Sequence, residues 1–208
     1  MMKLLSIGDN CIDVYTNRNL CFPGGGCVNF AVHARRNGAQ SAYVGVLGND
    51  HYGDWLQEAL IAEQVDVKFL RRIPGKTAVA YVELTGHERT FLGSDRGVRE
   101  QLILDMPLQD YIGAFDHVHT TLDGYVDGHL RTWRNAGKTI SYDFSHRAKP
   151  EQFAHLPDIS IAFFSGQKMT VEQAEATARD AQRAAHGVIV GTLGERGSLA
   201  CVNEEIFR

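Results

Sequence analysis

The chain has 208 residues, of which 44% are hydrophobic and 22% are charged, a composition typical of a globular protein with a sizeable core. Its formal net charge of -4 provides no basic field for nucleic acid or for an anionic membrane surface. The apolar run before Asp9 is too short and too soon interrupted for a signal peptide, and no later stretch approaches the roughly 20 apolar residues of a membrane span. We therefore expect a cytoplasmic protein with no nucleic-acid or membrane partner.

The chain begins with alternating strand and helix patterns. KLLSIGDNCIDVY, residues 3–15, is an apolar run that ends in polar residues and predicts a buried strand. After three glycines, CVNFAVHARRNGA predicts a helix that stops at Gly38. SAYVGVLG predicts a second strand, and the helix that follows takes Asn49 or Asp50 as its N-cap.

The middle of the chain interrupts this alternation. Residues 77–94, TAVAYVELTGHERTFLGS, form two β-rich runs around TGHE. This is the pattern of a β-hairpin rather than of a strand followed by a helix.

The alternation then resumes. DHVHTTL, KTISYDFS, DISIAFFSG and VIVGTLG predict strands, and GYVDGHLRTWRNAG predicts a helix that ends at Gly137. TVEQAEATARDAQRAAHG predicts a helix that starts with a capping box of Thr170 and Gln173 and is terminated by Gly187. SLACVN starts a last hairpin. The whole pattern predicts an α/β fold, a doubly wound and mostly parallel sheet in a single domain over residues 1–208.

Polar residues and glycines gather where the predicted strands end, which is the ligand-binding edge of such a sheet. These residues are Asp9, Asp13, Gly24, Gly25, Asn29, Asp143, Arg147 and the segment 192–197. Carboxylates accept hydrogen bonds from hydroxyl groups, and a ligand can approach a glycine amide with no side chain in the way. The cluster therefore predicts a ligand rich in hydroxyl groups.

Two other interpretations stay open from the residues alone. Gly24-x-Gly26-x-x-Asn29 is one residue short of the dinucleotide fingerprint GxGxxG, which leaves a nicotinamide-dependent oxidoreductase as a weaker alternative. His117 and His119 point to one side of a strand and could hold a metal ion, although packed strand histidines are the commoner outcome.

PGGGCVNFAVHARRNGAQSAYVGVLGNDHYGDWLQEAL resembles the N-terminal signature of the ribokinase-like (PfkB) carbohydrate kinases, and VIVGTLGERGSLA resembles their nucleotide-site segment. The similarity covers essentially the whole chain, and IGDNCIDVY and YDFSHR look closest to the fructoselysine 6-kinase branch. The resemblance implies a ribokinase-like sheet with a small β lid at about residues 77–94. It also implies phosphoryl transfer from ATP, with Mg2+, to a primary hydroxyl of a sugar or fructosamine substrate.

The resemblance also implies roles for individual residues. The substrate-binding residues that it implies are Asp9, Asp13, Gly24, Gly25 and Asn29, with Arg89 as a lid contact. The nucleotide-binding residues that it implies are Ser165, Lys168, Thr192, Gly194 and Gly197. Because exposed strand edges favour pairing with another chain, a homodimer through the lid is expected.

The sequence departs from the family pattern in two ways. The segment Asp-Thr-x-Gly-Ala-Gly-Asp, which carries the catalytic base and the anion-hole amides in the family, does not occur in these 208 residues, and we expect it beyond Arg208. The 208 residues are then a piece that lacks its C-terminal part and is inactive on its own. Relatives commonly carry Asn-x-x-Glu where this chain has Ser165 and Lys168, which leaves the magnesium ligands unknown. A non-catalytic carbohydrate-binding or regulatory module of the same fold is the alternative function.

Overall fold

A computed structural model of the protein describes residues 1–86, 88–148 and 150–208. The chain divides into two compact units: unit 1 is Met1–Asp116 with Asp123–Tyr125, and unit 2 is His117–Leu122 with Val126–Arg208. Within the described ranges, no helix combines the length and the apolar character that crossing a bilayer requires.

Unit 1 combines short strands with three described helices. In chain order its elements are β1 (Lys3–Ile7), β2 (Cys11–Tyr15), β3 (Leu20–Gly24), α1 (Gly26–Arg36), β4 (Gln40–Val44), β5 (Val46–Gly48), α2 (His51–Ala62), β6 (Arg71–Ile73), β7 (Val79–Thr85), β8 (Glu88–Asp95) and α3 (Met106–Gly113). A 3-10 turn at Arg99–Gln101 precedes α3. Asp50 caps α2 by accepting a hydrogen bond from the amide of Gly53, so the predicted cap is confirmed.

The strands of unit 1 belong to separate groups. β1 pairs with β4 in parallel, β5 pairs with β6 in parallel, and β3, β2, β7 and β8 form a four-stranded sheet in that order. The predicted hairpin is formed by β7 and β8, which pair antiparallel from Val79 opposite Asp95 to Thr85 opposite Glu88. The expected turn residue His87 lies outside the described residues. The role of this hairpin as a lid stays a prediction.

Two predictions of single strands in unit 1 are wrong. Residues 3–15 form β1 and β2 in different sheets, because the chain turns at Gly8, whose φ of 129° only glycine adopts freely. SAYVGVLG likewise divides into β4 and β5 at Gly45, where a Cβ would lie 2.1 Å from the Tyr43 hydroxyl. Helix α3 was not predicted.

The core of unit 1 lies under α1 and α2. Its buried members are Ile12, Cys27, Val28, Ala31, Tyr43, Leu47, Leu56, Leu60 and Val65. They supply the apolar burial that stabilises helices of this length. The core therefore holds β2 and the start of α1, which carry the candidate sugar-binding residues Asp13 and Asn29.

Unit 2 is a mixed, mostly parallel sheet with helices. In chain order its elements are β9 (His117–Thr121), α4 (Leu130–Asn135), β10 (Thr139–Asp143), β11 (Ile161–Ser165), α5 (Val171–Ala184), β12 (Val188–Thr192), β13 (Ser198–Val202) and β14 (Glu205–Phe207). Strands β9 to β12 are parallel neighbours in chain order, and β13 and β14 continue the sheet antiparallel. The predicted alternation and the last hairpin are confirmed in this unit.

Three details of the helix predictions in unit 2 have clear outcomes. The capping box of Thr170 and Gln173 at the start of α5 is confirmed. The predicted stop at Gly187 is wrong, because α5 ends at Ala184 and a Cβ at Gly187 would lie 2.1 Å from the Ser160 carbonyl oxygen. The predicted helix over GYVDGHLRTWRNAG is shorter than expected, because Tyr125 has a φ of 58° that cannot continue a helix.

Candidate functional site

The glycine turn before α1 lies against the loop that follows β1. Oδ2 and Oδ1 of Asp9 accept hydrogen bonds from the amides of Gly26, at 2.7 Å, and Cys27, at 3.1 Å. These amides belong to the first turn of α1, whose N–H groups have no partner within the helix. Asp9 therefore supplies from a distant loop the bond that a side chain at the N-cap, here Gly25, would normally supply.

Two glycines of this turn sit where a side chain has no room. A Cβ at Gly25 would lie 2.7 Å from Cα of Asn10, and the φ of Gly25 is 108°. A Cβ at Gly24 would lie 2.7 Å from Oδ2 of Asp13. The turn therefore brings bare backbone next to the Asp13 carboxylate, as expected for a site that a ligand approaches closely.

The loop after β1 is held by a buried hydrogen-bond network. The Asn10 side chain donates to the Tyr43 hydroxyl and to the Val46 carbonyl, both at 3.0 Å. The Tyr43 hydroxyl donates to the Gly8 carbonyl at 2.9 Å. Both side chains are fully buried, so this network fixes the position of Asp9.

Asp13 and Arg89 form an ion pair between β2 and the hairpin. Arg89 Nη2 lies 2.9 Å from Asp13 Oδ1, and the side chains are 48% and 15% exposed, respectively. The Arg89 guanidinium also lies 5.7 Å from the centroid of the Tyr15 ring, within the range of a cation–π contact. Tyr15 in turn makes an edge contact with Phe22.

The thiol next to this carboxylate is not set up as a nucleophile. Cys11 Sγ donates to Asp13 Oδ1 at 3.4 Å. Burial raises the pKa of the Cys11 thiol well above its usual range, and the charge of Asp13 raises it further. Because the thiolate is the reactive form, Cys11 serves as a hydrogen-bond donor here.

The remaining sugar-site candidate lies one turn into α1. The backbone amide of Asn29 donates a hydrogen bond to the Gly25 carbonyl at 2.9 Å, and the Asn29 side chain is exposed. The structure thus brings Asp9, Asp13, Gly24, Gly25 and Arg89 together in unit 1, with Asn29 on the first turn of the adjoining helix.

The nucleotide-site candidates of unit 2 meet at the carboxyl ends of two strands. Ser165 at the end of β11 pairs with Thr192 at the end of β12. Gly194 and Gly197 follow in a 3-10 turn with φ of 64° and 85°, and nothing lies within 4 Å of a Cβ placed at Gly197. This open, side-chain-free backbone fits a ligand that packs against peptide groups.

One arginine connects the two loops of this region. Arg196 Nη2 donates to the carbonyl oxygens of Gly166 and Gln167, at 3.3 Å and 3.0 Å. The first loop continues to Lys168, which lines a mostly apolar cavity of about 280 Å³ together with Ser165, Phe164 and other residues. Arg196 therefore couples the loop that holds Lys168 to the turn that holds Gly194 and Gly197.

The strand-end prediction also included Asp143 and Arg147. Asp143 Oδ1 accepts a hydrogen bond from the Ser145 amide at 2.7 Å, which is a turn interaction. Arg147 is exposed in the following turn.

The two strand histidines are packed inside unit 2. His117 Nε2 and His119 Nδ1 both lie 2.7 Å from the Ser141 hydroxyl, and His117 Nδ1 lies 2.8 Å from the Thr139 hydroxyl. Burial lowers the pKa of His117 to about 4 and that of His119 to about 3. Within residues 1–86, 88–148 and 150–208, no group of three or more His, Cys, Asp or Glu side chains is placed to hold a metal ion.

Sequence reasoning missed two residues of these sites. Tyr15 contacts Arg89 and follows Asp13 by two residues on β2, so the alternation of a strand could have placed both side chains on one face. Arg196 was covered only as part of the segment 192–197. Its contacts depend on a loop 30 residues away, and no local pattern signals them.

Comparison with known proteins assigns the chain to a family. The pfkB family of carbohydrate kinases matches residues 3–208. The chain is 31% identical over 213 aligned residues to the fructoselysine 6-kinase of Escherichia coli, and it covers 80% of that protein while all of the chain is matched. The protein therefore belongs to the pfkB family of carbohydrate kinases.

Two further proteins illustrate the likeness. A fructosamine kinase of Bacillus subtilis is 28% identical over 99% of this chain and 74% of its own length. The crystal structure of a Xylella fastidiosa fructokinase with bound ATP superimposes with a TM-score of 0.79 at 21% identity, over 99% of this chain and 72% of that one. This structural likeness confirms the ribokinase-like α/β fold.

Proposed function

We propose that the protein is an ATP-dependent kinase that phosphorylates a primary hydroxyl of a fructosamine such as fructoselysine. The observation that carries the proposal is the Asp13 carboxylate, which lies against the side-chain-free Gly24 on a turn that Asp9 holds in place. Carboxylates next to bare backbone suit a ligand with many hydroxyl groups. The fructosamine substrate is inferred from the names of the Escherichia coli and Bacillus subtilis relatives.

We assign sugar binding to unit 1. Asp13 accepts hydrogen bonds from sugar hydroxyls, and Gly24 and Gly25 leave room for the sugar next to the backbone. The side-chain amide of Asn29 is a further hydrogen-bonding group for the sugar. Asp9 positions the glycine turn, since both of its carboxylate oxygens accept hydrogen bonds from amides in the first turn of α1. The β7–β8 hairpin is the proposed lid, which excludes water from a reaction that competes with hydrolysis.

We assign ATP binding to the strand ends of unit 2. The residues present fit such a group, because Thr192 offers a hydroxyl and Gly197 presents backbone beside open space, with Gly194 at ordinary contact distance from the Gln167 side chain. Lys168 adds a positive charge that can meet phosphate oxygens as a point charge. ATP supplies the phosphoryl group when bound, and the bound ATP of the Xylella fastidiosa fructokinase supports this assignment by analogy.

Magnesium fits the described residues less well. Mg2+ is held by carboxylates and water together with substrate phosphates. The described ranges hold no cluster of three or more ligating side chains, and Lys168 stands where relatives commonly carry glutamate. No magnesium ligand is therefore assigned among the described residues.

A homodimer through the hairpin sheet is part of the proposal. The four-stranded sheet exposes several large apolar side chains: Leu20, Phe22, Tyr81, Phe91 and Leu92. Exposed apolar groups on a sheet with open edges are favourable places for a second copy. Phe91→Glu is expected to shift sedimentation from dimer to monomer, while Ile61→Glu, at an exposed site on α2, is expected to leave it unchanged.

Calorimetric titration of the chain tests the two binding sites separately. We expect fructoselysine binding that Asp13→Asn weakens, and ATP binding that Asp13→Asn leaves unchanged. If the chain binds ATP but does not bind fructoselysine, the result would contradict the assignment as a fructosamine kinase. Binding of fructoselysine with no binding of ATP would favour a carbohydrate-binding module of the same fold.

A further inference from the structure

We propose that Arg89 selects substrates whose sugar carries a carboxylate on its tail, an inference that rests on the sugar-kinase function proposed above. Arg89 lies on β8 of the hairpin, and its Nη2 is 2.9 Å from Oδ1 of Asp13. Asp13 is the carboxylate assigned to the sugar hydroxyls. Any ligand that forms hydrogen bonds to the Asp13 carboxylate therefore changes the surroundings of Arg89.

The two side chains of this ion pair differ in their exposure to solvent. The Asp13 side chain is 15% exposed and the Arg89 side chain is 48% exposed. Beyond Asp13, the Arg89 guanidinium lies over the Tyr15 ring, and Tyr15 contacts Phe22. A tail that leads from a sugar at Asp13 toward solvent on this side would pass Arg89 and this aromatic pair.

The positive charge of Arg89 then discriminates between ligands whose tails do and do not carry a carboxylate. A sugar that bonds Asp13 and has no carboxylate on its tail weakens the ion pair of Arg89 and offers the guanidinium nothing in return. A tail with a carboxylate gives Arg89 a new partner, which the planar guanidinium can bind through two parallel hydrogen bonds. Such a site favours the adduct that carries a carboxylate, both by attraction and by rejection of the competitor that lacks it.

The amino-acid adducts of fructose have this chemistry. Fructoselysine carries the lysine carboxylate at the far end of its tail, several bonds from the sugar. N-fructosyl-cadaverine is the same molecule without that carboxylate. The pair of ligands isolates the one group that Arg89 is proposed to bind.

Isothermal titration calorimetry of the chain with these two ligands tests the inference. We expect the wild type to bind fructoselysine about tenfold more tightly than N-fructosyl-cadaverine, the ratio that one charge-assisted contact supplies. Arg89→Gln is expected to bring the ratio close to one. The control is Arg36→Gln, which removes the same charge from a comparably exposed ion pair with Glu63 and should keep the ratio.

The outcomes separate this inference from the proposed function. Equal affinities in the wild type, or an unchanged ratio in Arg89→Gln, would overturn the role of Arg89 and leave sugar binding standing. Failure of the wild type to bind either ligand would overturn the proposed function and this inference with it. Because Arg89 is half exposed, the variant should keep the wild-type thermal unfolding curve, which checks that it folds.

Discussion

Asp9 and Gly26 are 17 residues apart in the sequence and are joined by a 2.7 Å hydrogen bond from the Gly26 amide to the Asp9 carboxylate. The bond ties the loop after β1 to the first turn of α1. Since the glycine turn leads into that helix, the same bond sets where Gly24 and Gly25 lie. A carboxylate expected to contact substrate thus has a structural task that no local sequence pattern reveals.

Removal of this carboxylate should destabilise the protein. Asp9→Ala leaves the amides of Gly26 and Cys27 without their partner, at a cost of about 1–2 kcal/mol in the free energy of unfolding. Asp9→Asn keeps one acceptor oxygen and should lose less. Urea unfolding followed by circular dichroism measures both, and Asp110→Ala, at an exposed position on α3, is the control. A loss equal to that of the control would show that the bond does not stabilise the turn.

A methyl group at Gly24 should damage sugar binding more than folding. The new Cβ would lie 2.7 Å from Asp13 Oδ2, and the flexible carboxylate can move away at small cost to stability. Displacement of a charged hydrogen-bond acceptor should weaken fructoselysine binding by roughly 10- to 100-fold. Gly113→Ala, where nothing lies within 4 Å of the added Cβ, should bind like the wild type. Calorimetry that finds full affinity in Gly24→Ala would remove Asp13 from the sugar site.

Arg196 should matter for the nucleotide although it is assigned no contact with it. Arg196→Gln removes the hydrogen bonds that join the loop at Gly166 and Gln167 to the turn at Gly194. We expect the Kd for ATP to rise about tenfold, because ATP binding must then order the two loops. Arg196→Lys should recover only part of this affinity. Arg183→Gln, which breaks an exposed pair with Asp180, should change nothing. Unchanged ATP binding in Arg196→Gln would mean that the two loops bind independently.

The buried histidines should make the protein less stable in mild acid. Burial holds the pKa of His117 at about 4 and that of His119 at about 3, below the usual 6.5. The unfolded chain therefore binds protons that the native chain does not bind. Stability is full above pH 6.5 and falls as the pH drops toward 3, by about 4 kcal/mol between pH 7 and pH 5. His119→Asn can keep the bond to Ser141 without titrating and should flatten this dependence. Urea unfolding at pH 7, 6 and 5 measures the slope, and a wild-type slope of zero would contradict the assignment.

Local patterns predicted the elements whose determinants are local. The capping box of Thr170 and Gln173 and the cap at Asp50 involve residues three apart, and the β7–β8 hairpin pairs neighbouring runs. The break of residues 3–15 into two strands was missed, because the turn depends on the close approach of Gly8 to Gly124. A contact between residues so far apart in the chain leaves no periodic signal.

The candidate sugar site was predicted in its residue types but not in its division of tasks. Asp9 and Asp13 are equivalent in the sequence, as polar residues near a strand end. In the structure Asp9 is engaged by amides of α1, whereas Asp13 faces Arg89 and the bare backbone of Gly24. Only the fold distinguishes them, because the amides that engage Asp9 come from a different element.

Release of ADP tests the claim that the protein is a kinase that acts on a fructosamine. The assay uses the product of the complete natural reading frame with ATP, Mg2+ and fructoselysine. We expect turnover with fructoselysine that is lost in Asp13→Ala and kept in Asp110→Ala. Sugar binding by calorimetry with no ADP release would contradict the claim and favour a carbohydrate-binding module of the same fold.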